Sequence, residues 1–180
     1  SLGLETLGIE TQRGAIVTDE TLRTNIDGVW AIGDCNGKRM LAHTAYREAE
    51  VAVHAMLGID DRMDYDRIPS VIYTEPEVAC VGETEQSARD KGLSVKVAKA
   101  SMLLSGRYVA QKAQSGDGFC KLVYDTQNDR LLGVSLVGDY ASELILGAEL
   151  MLGRPLEALR RQVFPHPTVG EVLREALFRL

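Results

Sequence analysis

The order of the apolar segments after residue 67 is the feature that most constrains the fold. Short segments of β type come first, and segments with helical periodicity follow at about 140–152, 155–162 and 168–179. Strands that precede helices, rather than alternate with them, favour helices laid on one face of a mostly antiparallel sheet. We therefore predict an α+β domain over residues 67–180.

The strands of this sheet are expected in apolar or alternating segments. They are Ser70–Tyr73, Val78–Gly82, Leu93–Ala100, Arg107–Ala113, Phe119–Tyr124 and Leu131–Val137. The turn-rich segment Thr126–Asp129 between the last two strands predicts a hairpin. Thr84 is a good N-cap, so a short helix is expected to begin there and to end before Gly92.

Residues 1–66 follow an α/β pattern instead. Strands are predicted at Ala15–Val17 and Val29–Ile32, and Gly58 is a suitable C-cap for the helix after them. That helix is expected to bury the face formed by Leu41, Ala45, Ala49, Ala52 and Met56. Two strands and a helix cannot close a core alone, so we expect these residues to be part of a larger α/β domain. The charged segment Asp60–Arg67 indicates the boundary.

The composition narrows the range of functions. A net charge of −6 argues against nucleic acid and an anionic membrane surface as partners, because both favour basic patches. The segment Ser1–Glu5 has neither a basic region nor a long apolar run, so we expect no signal peptide and a cytoplasmic location. Cys35, Cys80 and Cys120 are far apart, and we expect neither a disulfide framework nor a metal site.

The first candidate site is Gly33–Asp34, at the end of a predicted strand, where ligands bind in open α/β sheets. Gly33 permits close approach of a backbone, and the Asp34 carboxylate can accept hydrogen bonds from sugar hydroxyls. The helix that begins near Leu41 and Ala42 offers free N–H groups. Alternatively, Asp34 only ends a strand or caps a turn. For His43, in the same stretch, we expect packing or capping rather than chemistry.

The second candidate site is His166, which lies between Pro165 and Pro167. Each proline fixes its own φ and restricts the residue before it, so the imidazole is presented from a stiff loop. Accurate placement and a pKa near working pH suit a proton-transfer group. The His166–Pro167 bond is also a candidate for the cis form.

Glu171 has two possible roles. Its carboxylate can accept from one ring nitrogen of His166 and so orient the ring and stabilise the imidazolium, which leaves the other nitrogen to take a proton. Alternatively, Thr168 and Glu171 form a capping box in which the carboxylate turns back to the Thr168 N–H. The two carboxylate oxygens could also divide these roles.

Several segments together resemble the flavin-dependent pyridine nucleotide-disulfide oxidoreductases, and among them the dihydrolipoamide dehydrogenase family. Thr24–Asp34 resembles the second FAD motif of that family, and Met40–His43 fits the segment after it. Ile68–Gly82, Leu131–Gly138, Ala141–Ile145 and Phe164–Glu171 fit the dimerisation domain and its C-terminal signature. The chain departs from the family at Phe164, where a second histidine is common.

The resemblance implies a division into residues 1–66, the C-terminal part of an FAD-binding domain, and residues 67–180, a dimerisation domain. It implies that Asp34, beside Gly33, binds a ribitol hydroxyl of FAD, and that N–H groups around Leu41 and Ala42 face the flavin.

For the second site, the resemblance implies that His166 is the acid–base catalyst, that Glu171 orients it, and that the histidine reaches the redox disulfide of the other subunit in a homodimer. NAD would be the co-substrate. The partner would be a lipoyl-bearing protein of a 2-oxo acid dehydrogenase or glycine cleavage complex.

The chain contains neither a GxGxxG fingerprint nor the CxxxxC pair of the family. We therefore expect a fragment that is inactive alone and binds FAD weakly or not at all. The alternatives are the dimerisation module of a reductase similar to glutathione or mercuric reductase, a purely structural dimerisation module, and a flavin electron-transfer reductase. The last would share Gly33–Asp34 but would not need His166.

Overall fold

The computed structural model describes residues 2–112 and 118–180, and the chain divides into two units, one ending at Tyr65 and one spanning Asp66–Leu180. Each unit is described by itself. Within the described residues, no helix is both long and apolar enough to cross a bilayer.

The first unit begins with a 3₁₀ turn at Leu4–Leu7 and a small antiparallel hairpin of β1 (Thr11–Gln12) and β2 (Ala15–Ile16). Arg13 and Gly14 link the two strands, and both have positive φ, as a type I′ hairpin turn requires. A second 3₁₀ turn follows at Gly33–Asn36.

The strand predicted at Val29–Ile32 is not formed as a strand. Its backbone runs beside an earlier segment, but the pairing is a single bridge between Arg23 and Trp30. Only two ladder-like bonds flank it, from Thr24 N–H to the Val29 carbonyl and from Ala31 N–H to the Leu22 carbonyl. An extended segment becomes a strand only where a neighbour continues the ladder, and the described residues supply too short a neighbour.

The helix α1 spans Ala42–Met56, as the periodicity predicted. Gly58 then adopts a positive φ, and the Ile59 N–H bonds the His54 carbonyl at 2.9 Å, which closes a Schellman motif. The buried face was predicted only in part. Of the predicted members, Ala52 is buried, Leu41, Ala45 and Ala49 are half-buried, and Met56 is exposed. The other buried residues are Thr44, Glu48 and Val51, two of which are polar.

The second unit contains a five-stranded antiparallel sheet in the order β3-β4-β7-β6-β5. The strands are β3 (Ser70–Ile72), β4 (Val78–Gly82), β5 (Val95–Ser101), β6 (Phe119–Asp125) and β7 (Arg130–Val137). The helices are α2 (Glu85–Asp90), α3 (Gly106–Lys112), α4 (Ala141–Glu149), α5 (Leu156–Arg160) and α6 (Glu171–Leu177). The predicted α+β class is confirmed.

One face of this sheet forms the core of the unit. Register aligns buried side chains across β4, β7, β6 and β5 in two rows, Ala79–Leu136–Cys120–Ala100 and Val81–Val134–Leu122–Ala98. Helix α4 packs on β4 and β7, and α6 packs on β5 and β6, and both bury their apolar stripes in this core. The N-terminus of α6 is thereby fixed against the sheet.

One predicted strand of this unit is a helix. The alternation at Arg107–Ala113 indicated a strand, whereas Gly106–Lys112 is α3 and Ala113 lies outside the described residues. Ser105 explains the difference, because its side-chain oxygen accepts the Tyr108 N–H at 3.2 Å. A serine that bonds the N–H three residues ahead is a helix N-cap, and this local signal outweighs the alternation.

Candidate active site

His166 lies on a loop that enters α6 and is held from both sides. Phe164 packs against the core of the unit, and the His166–Pro167 peptide bond is cis, as the sequence allowed. The Thr168 hydroxyl donates to the Pro165 carbonyl at 2.7 Å. The Ser105 hydroxyl donates to the Thr168 carbonyl at 2.9 Å. These contacts leave the loop backbone little freedom.

The carboxylate of Glu171 contacts the imidazole and the loop backbone together. His166 Nδ1 lies 2.8 Å from Glu171 Oε1, and the Thr168 N–H donates to Oε2 at 3.0 Å. The two oxygens therefore divide the roles that the sequence left open. The capping box is only half formed, because the Thr168 hydroxyl bonds Pro165 and no side chain caps α6.

The electrostatics of the pair fix which ring nitrogen is free. The Thr168 N–H, and then the His166 hydrogen bond, hold the pKa of Glu171 below its ordinary value. An ionised carboxylate only accepts hydrogen bonds, so Nδ1 of the neutral ring carries the proton and Nε2 keeps a lone pair. The imidazole is 78% exposed, so that lone pair is accessible. The arrangement can take a proton at Nε2 and give it back.

The three cysteines are all free thiols in the structure. Cys35 is exposed, Cys80 is half-buried, and burial raises the pKa of the Cys120 thiol to about 12. Among residues 2–112 and 118–180, no group of three or more His, Cys, Asp and Glu side chains is arranged to hold a metal ion.

Gly33 and Asp34 begin the second 3₁₀ turn of the first unit, Gly33–Asn36, rather than end a regular strand. Gly33 has a φ of +73°, and a Cβ there would stand 3.4 Å from the Ala45 side chain. The Asp34 side chain is exposed and lines a groove of about 740 Å³ between the turn and the β1–β2 hairpin. The ligand predicted at this turn stays a prediction, and the groove is the concave surface beside it.

Glu48 is a functional candidate that the sequence analysis missed. Its side chain is fully buried. Oε2 accepts the Gly33 N–H at 2.5 Å, and Oε1 accepts the Asn36 amide at 3.0 Å and the Tyr65 hydroxyl at 2.7 Å. Burial, and then the bond to Glu48, raise the pKa of Tyr65 above its ordinary value. The available signal was a glutamate in the core stripe of a helix, where a charge is rare unless paired.

The start of α1 lies next along the chain. Leu41 is its N-cap in extended conformation, and no side chain caps the helix there. Leu41 is half-buried, and Ala42 and His43 are exposed. The first N–H groups of a helix have no partner within it, so this end can receive hydrogen-bond acceptors. That the N–H groups around Leu41 and Ala42 face a flavin stays a prediction.

Comparison with known proteins gives consistent matches along the chain. Residues 68–177 match the pyridine nucleotide-disulphide oxidoreductase dimerisation domain, and residues 1–49 match the pyridine nucleotide-disulphide oxidoreductase domain. Dihydrolipoyl dehydrogenases from Zymomonas mobilis and Chlorobaculum parvum are 39% and 42% identical over 98% of the chain. The chain spans 38% of the length of each.

Solved structures show the same likeness. LpdA from Mycobacterium tuberculosis superposes with a TM-score of 0.90 at 25% identity, over 99% of this chain and 39% of that one. The HOCl-induced flavoprotein disulfide reductase RclA from Escherichia coli superposes with a TM-score of 0.86 at 28% identity, over 98% of this chain and 41% of that one.

Proposed function

The chain belongs to the pyridine nucleotide-disulphide oxidoreductase family, and from that membership we propose that it is the C-terminal part of a dihydrolipoyl dehydrogenase. Residues 1–66 would complete the FAD-binding domain and residues 67–180 would form the dimerisation domain. The observation that carries the proposal is the exposed imidazole of His166, held at Nδ1 by an ionised Glu171 at 2.8 Å.

FAD fits the groove beside the Gly33–Asn36 turn. The Thr18 hydroxyl oxygen in the groove wall is buried without a hydrogen-bond partner in the part of the chain that is described, so it is free to bond a ligand. The Asp34 carboxylate offers acceptors for ribitol hydroxyls, Gly33 lets the backbone come close, and the uncapped N-terminus of α1 at Leu41 and Ala42 offers donors. When bound, FAD supplies two-electron transfer between a dithiol and NAD.

His166 would act on the dithiol. Its Nε2 takes the proton from one thiol of dihydrolipoamide, and Glu171 stabilises the resulting imidazolium. The thiolate then bonds one sulfur of a redox disulfide on the other subunit of a homodimer, and the second sulfur of that disulfide leaves as thiolate. The leaving thiolate takes the proton back from the imidazolium, so Nε2 can then take the proton of the remaining substrate thiol. The new thiolate attacks the substrate sulfur of the mixed disulfide and displaces the enzyme sulfur as a thiolate. Lipoamide is released, and the enzyme keeps one thiol and one thiolate beside the imidazolium.

This assignment makes the 180-residue chain dependent on the rest of the enzyme. The redox disulfide would lie outside it, so we propose that the chain alone is inactive. The dithiol would arrive on the lipoyl-bearing protein of a 2-oxo acid dehydrogenase or glycine cleavage complex, in the cytoplasm.

The test is His166→Gln in the full-length flavoprotein, with both half-reactions followed by stopped-flow absorbance of the flavin. Reduction by dihydrolipoamide should slow by about 10²- to 10⁴-fold, because the general base is lost. Flavin–NADH exchange should keep its rate, since it needs no thiol proton transfer. Equal loss of both half-reactions would refute the assignment.

The likeness to the Escherichia coli flavoprotein disulfide reductase favours a second candidate, a reductase of the same family with another substrate. It would use the same fold and FAD. Turnover of dihydrolipoamide by the full-length enzyme, compared with glutathione disulfide, separates the two candidates.

A further inference from the structure

The first unit contains a carboxyl group that the proposed mechanism does not use. Glu48 lies on the buried face of α1, between Thr44 and Val51, with no exposed surface. Removing a carboxylate from water is costly unless hydrogen bonds replace those of the solvent. A sequence that keeps glutamate at such a position therefore uses its acceptor oxygens.

Three donors converge on this carboxylate, and none of them is a cation. They are the Gly33 N–H, the Asn36 side-chain amide and the Tyr65 hydroxyl, at 2.5, 3.0 and 2.7 Å. Neutral donors orient a carboxylate without neutralising it, so geometry rather than ion pairing holds the group. The Lys38 ammonium contacts Tyr65, one of these donors, at 5.2 Å from the centre of its ring.

Two of the donors flank Asp34. Gly33 precedes it and Asn36 follows two residues later, so the carboxylate fixes the turn on both sides of the aspartate. The Asn36 side chain extends the network, since its carbonyl accepts the Lys38 N–H at 2.9 Å. Gly33 also has a positive φ, so its own conformational preference would not hold the turn.

We propose that Glu48 is a positioning residue for the cofactor: it holds the Gly33–Asn36 turn so that Asp34 meets the ribityl hydroxyls of FAD. This inference rests on the proposed function. Glu48 itself touches no cofactor, and it acts through the backbone of Gly33 and the side chain of Asn36. Tyr65 supplies the third bond and holds Oε1 toward Asn36.

A substitution that removes an acceptor oxygen but keeps the side-chain volume separates a hydrogen-bonding role of Glu48 from a packing role. Glu48→Gln keeps the size and shape of the side chain. Its oxygen still accepts the Gly33 N–H, but its amide now faces the amide of Asn36, donor against donor. The double variant E48Q/N36D reverses that contact, because the introduced glutamine amide then donates to the introduced aspartate carboxylate, and Tyr65 can accept in place of donating.

FAD affinity of the holoenzyme should follow this pattern. Measured by flavin fluorescence on release, E48Q should weaken FAD about 10- to 100-fold, since a misplaced buried donor loses its bonds. E48Q/N36D should return the affinity to within a few-fold of the wild type. Glu50→Gln, on the same helix but exposed, is the matched control and should have no effect.

Amide hydrogen exchange at Gly33 in the full-length enzyme without FAD gives a readout that does not depend on the cofactor. Exchange should accelerate in E48Q and slow again in E48Q/N36D. Unchanged exchange and affinity in E48Q would overturn the proposal, and so would a loss that Asn36→Asp fails to restore. Should the wild-type holoenzyme hold no FAD, the proposed function falls, while the exchange pattern still reports whether Glu48 fixes the turn.

Discussion

Two histidines of this chain each contact a carboxylate through Nδ1, and they differ in what else touches that carboxylate. Glu171 contacts His166 at 2.8 Å and otherwise accepts a neutral backbone N–H from Thr168. Asp61 contacts His54 at 2.7 Å and also accepts the Arg47 guanidinium at 2.6 Å. The Glu171 carboxylate therefore has the His166 imidazole as its side-chain hydrogen-bond partner. The Asp61 carboxylate is shared between the His54 imidazole and the permanent cation of Arg47.

The surroundings of the two rings differ as well. His166 projects from a loop between two prolines and is 78% exposed, whereas His54 lies on α1 and is 40% exposed. The Arg47–Asp61–His54 cluster ties residue 61 to the helix, which is a structural task. A short histidine–carboxylate distance therefore does not by itself identify a base. We expect a base where the carboxylate has no other cationic partner and the second ring nitrogen is accessible.

The largest expected difference between the two pairs comes from replacing each carboxylate, Glu171 and Asp61, in turn. In the full-length enzyme, Glu171→Gln should slow flavin reduction by dihydrolipoamide about 10- to 10³-fold, because the ring loses its orientation and its imidazolium loses a counter-charge. Asp61→Asn should leave the rate unchanged. Stopped-flow absorbance of the flavin after mixing with dihydrolipoamide measures the reduction rate of each variant.

Comparable losses in the two variants would contradict the distinction between the pairs. Flavin–NADH exchange is the internal control in each case, and a variant that lowers it has disturbed the fold or the flavin rather than the base.

A second test compares two buried hydroxyls, one on the loop before α3 in the second unit and one on α1 in the first. Ser105 bonds the Thr168 carbonyl, whereas the Thr44 hydroxyl on α1 has no hydrogen-bond partner in the part of the chain that is described. Ser105→Ala should cost about 1–2 kcal/mol of unfolding free energy, and Thr44→Val about zero or less. Urea unfolding of the full-length enzyme, followed by circular dichroism, measures both. A larger cost for Thr44→Val would show an unrecognised partner.

The smallest effects concern the carboxylate titrations, which NMR of the carboxyl carbons can follow. The pKa values of Asp61 and Glu171 are both lowered, chiefly by the Arg47 hydrogen bond in one case and by the Thr168 N–H in the other. Both groups are therefore charged at neutral pH. Their contribution to stability is present above the unfolded pKa, near about 4, and is lost as pH falls through the lower folded values.

Substitution should separate the two causes. Arg47→Met should raise the pKa of Asp61 toward its ordinary value. His166→Gln should raise the pKa of Glu171 by less, because the Thr168 N–H stays in place. The reverse ranking would show that the imidazole, not the backbone amide, dominates at Glu171.

Most strands and helices of the second unit were predictable, because turn residues and helix caps within a few residues of each element mark where it begins or ends. The turn residues at Thr126–Asp129 predicted the hairpin of β6 and β7. Thr84 predicted the N-cap of α2, and its hydroxyl oxygen accepts the Ser87 N–H. The exception is α3, where a single serine cap outweighed an alternating pattern. The contact between His166 and Glu171 was predictable for the same reason, since a short length of stiff chain connects them.

Contacts between distant residues were not predictable in this way. Glu48 meets Gly33 across 15 residues and Tyr65 across 17, and no local spacing encodes either contact. The buried face of α1 was predicted only in part, because Thr44 and Glu48 are polar residues at positions where a core usually has apolar ones. The His54–Asp61 pair was also missed, because Asp61 lies in a charged segment that indicated only a boundary.

The strand order limits how a neighbouring molecule can contact the edges of this sheet. The sheet ends at β3, which is only three residues long, and at β5, where Arg179 donates to the Lys99 carbonyl at 3.0 Å. Short, lysine-bearing or obstructed margins resist the addition of another strand. A neighbouring molecule is thus discouraged from extending the sheet by adding a strand of its own at either edge.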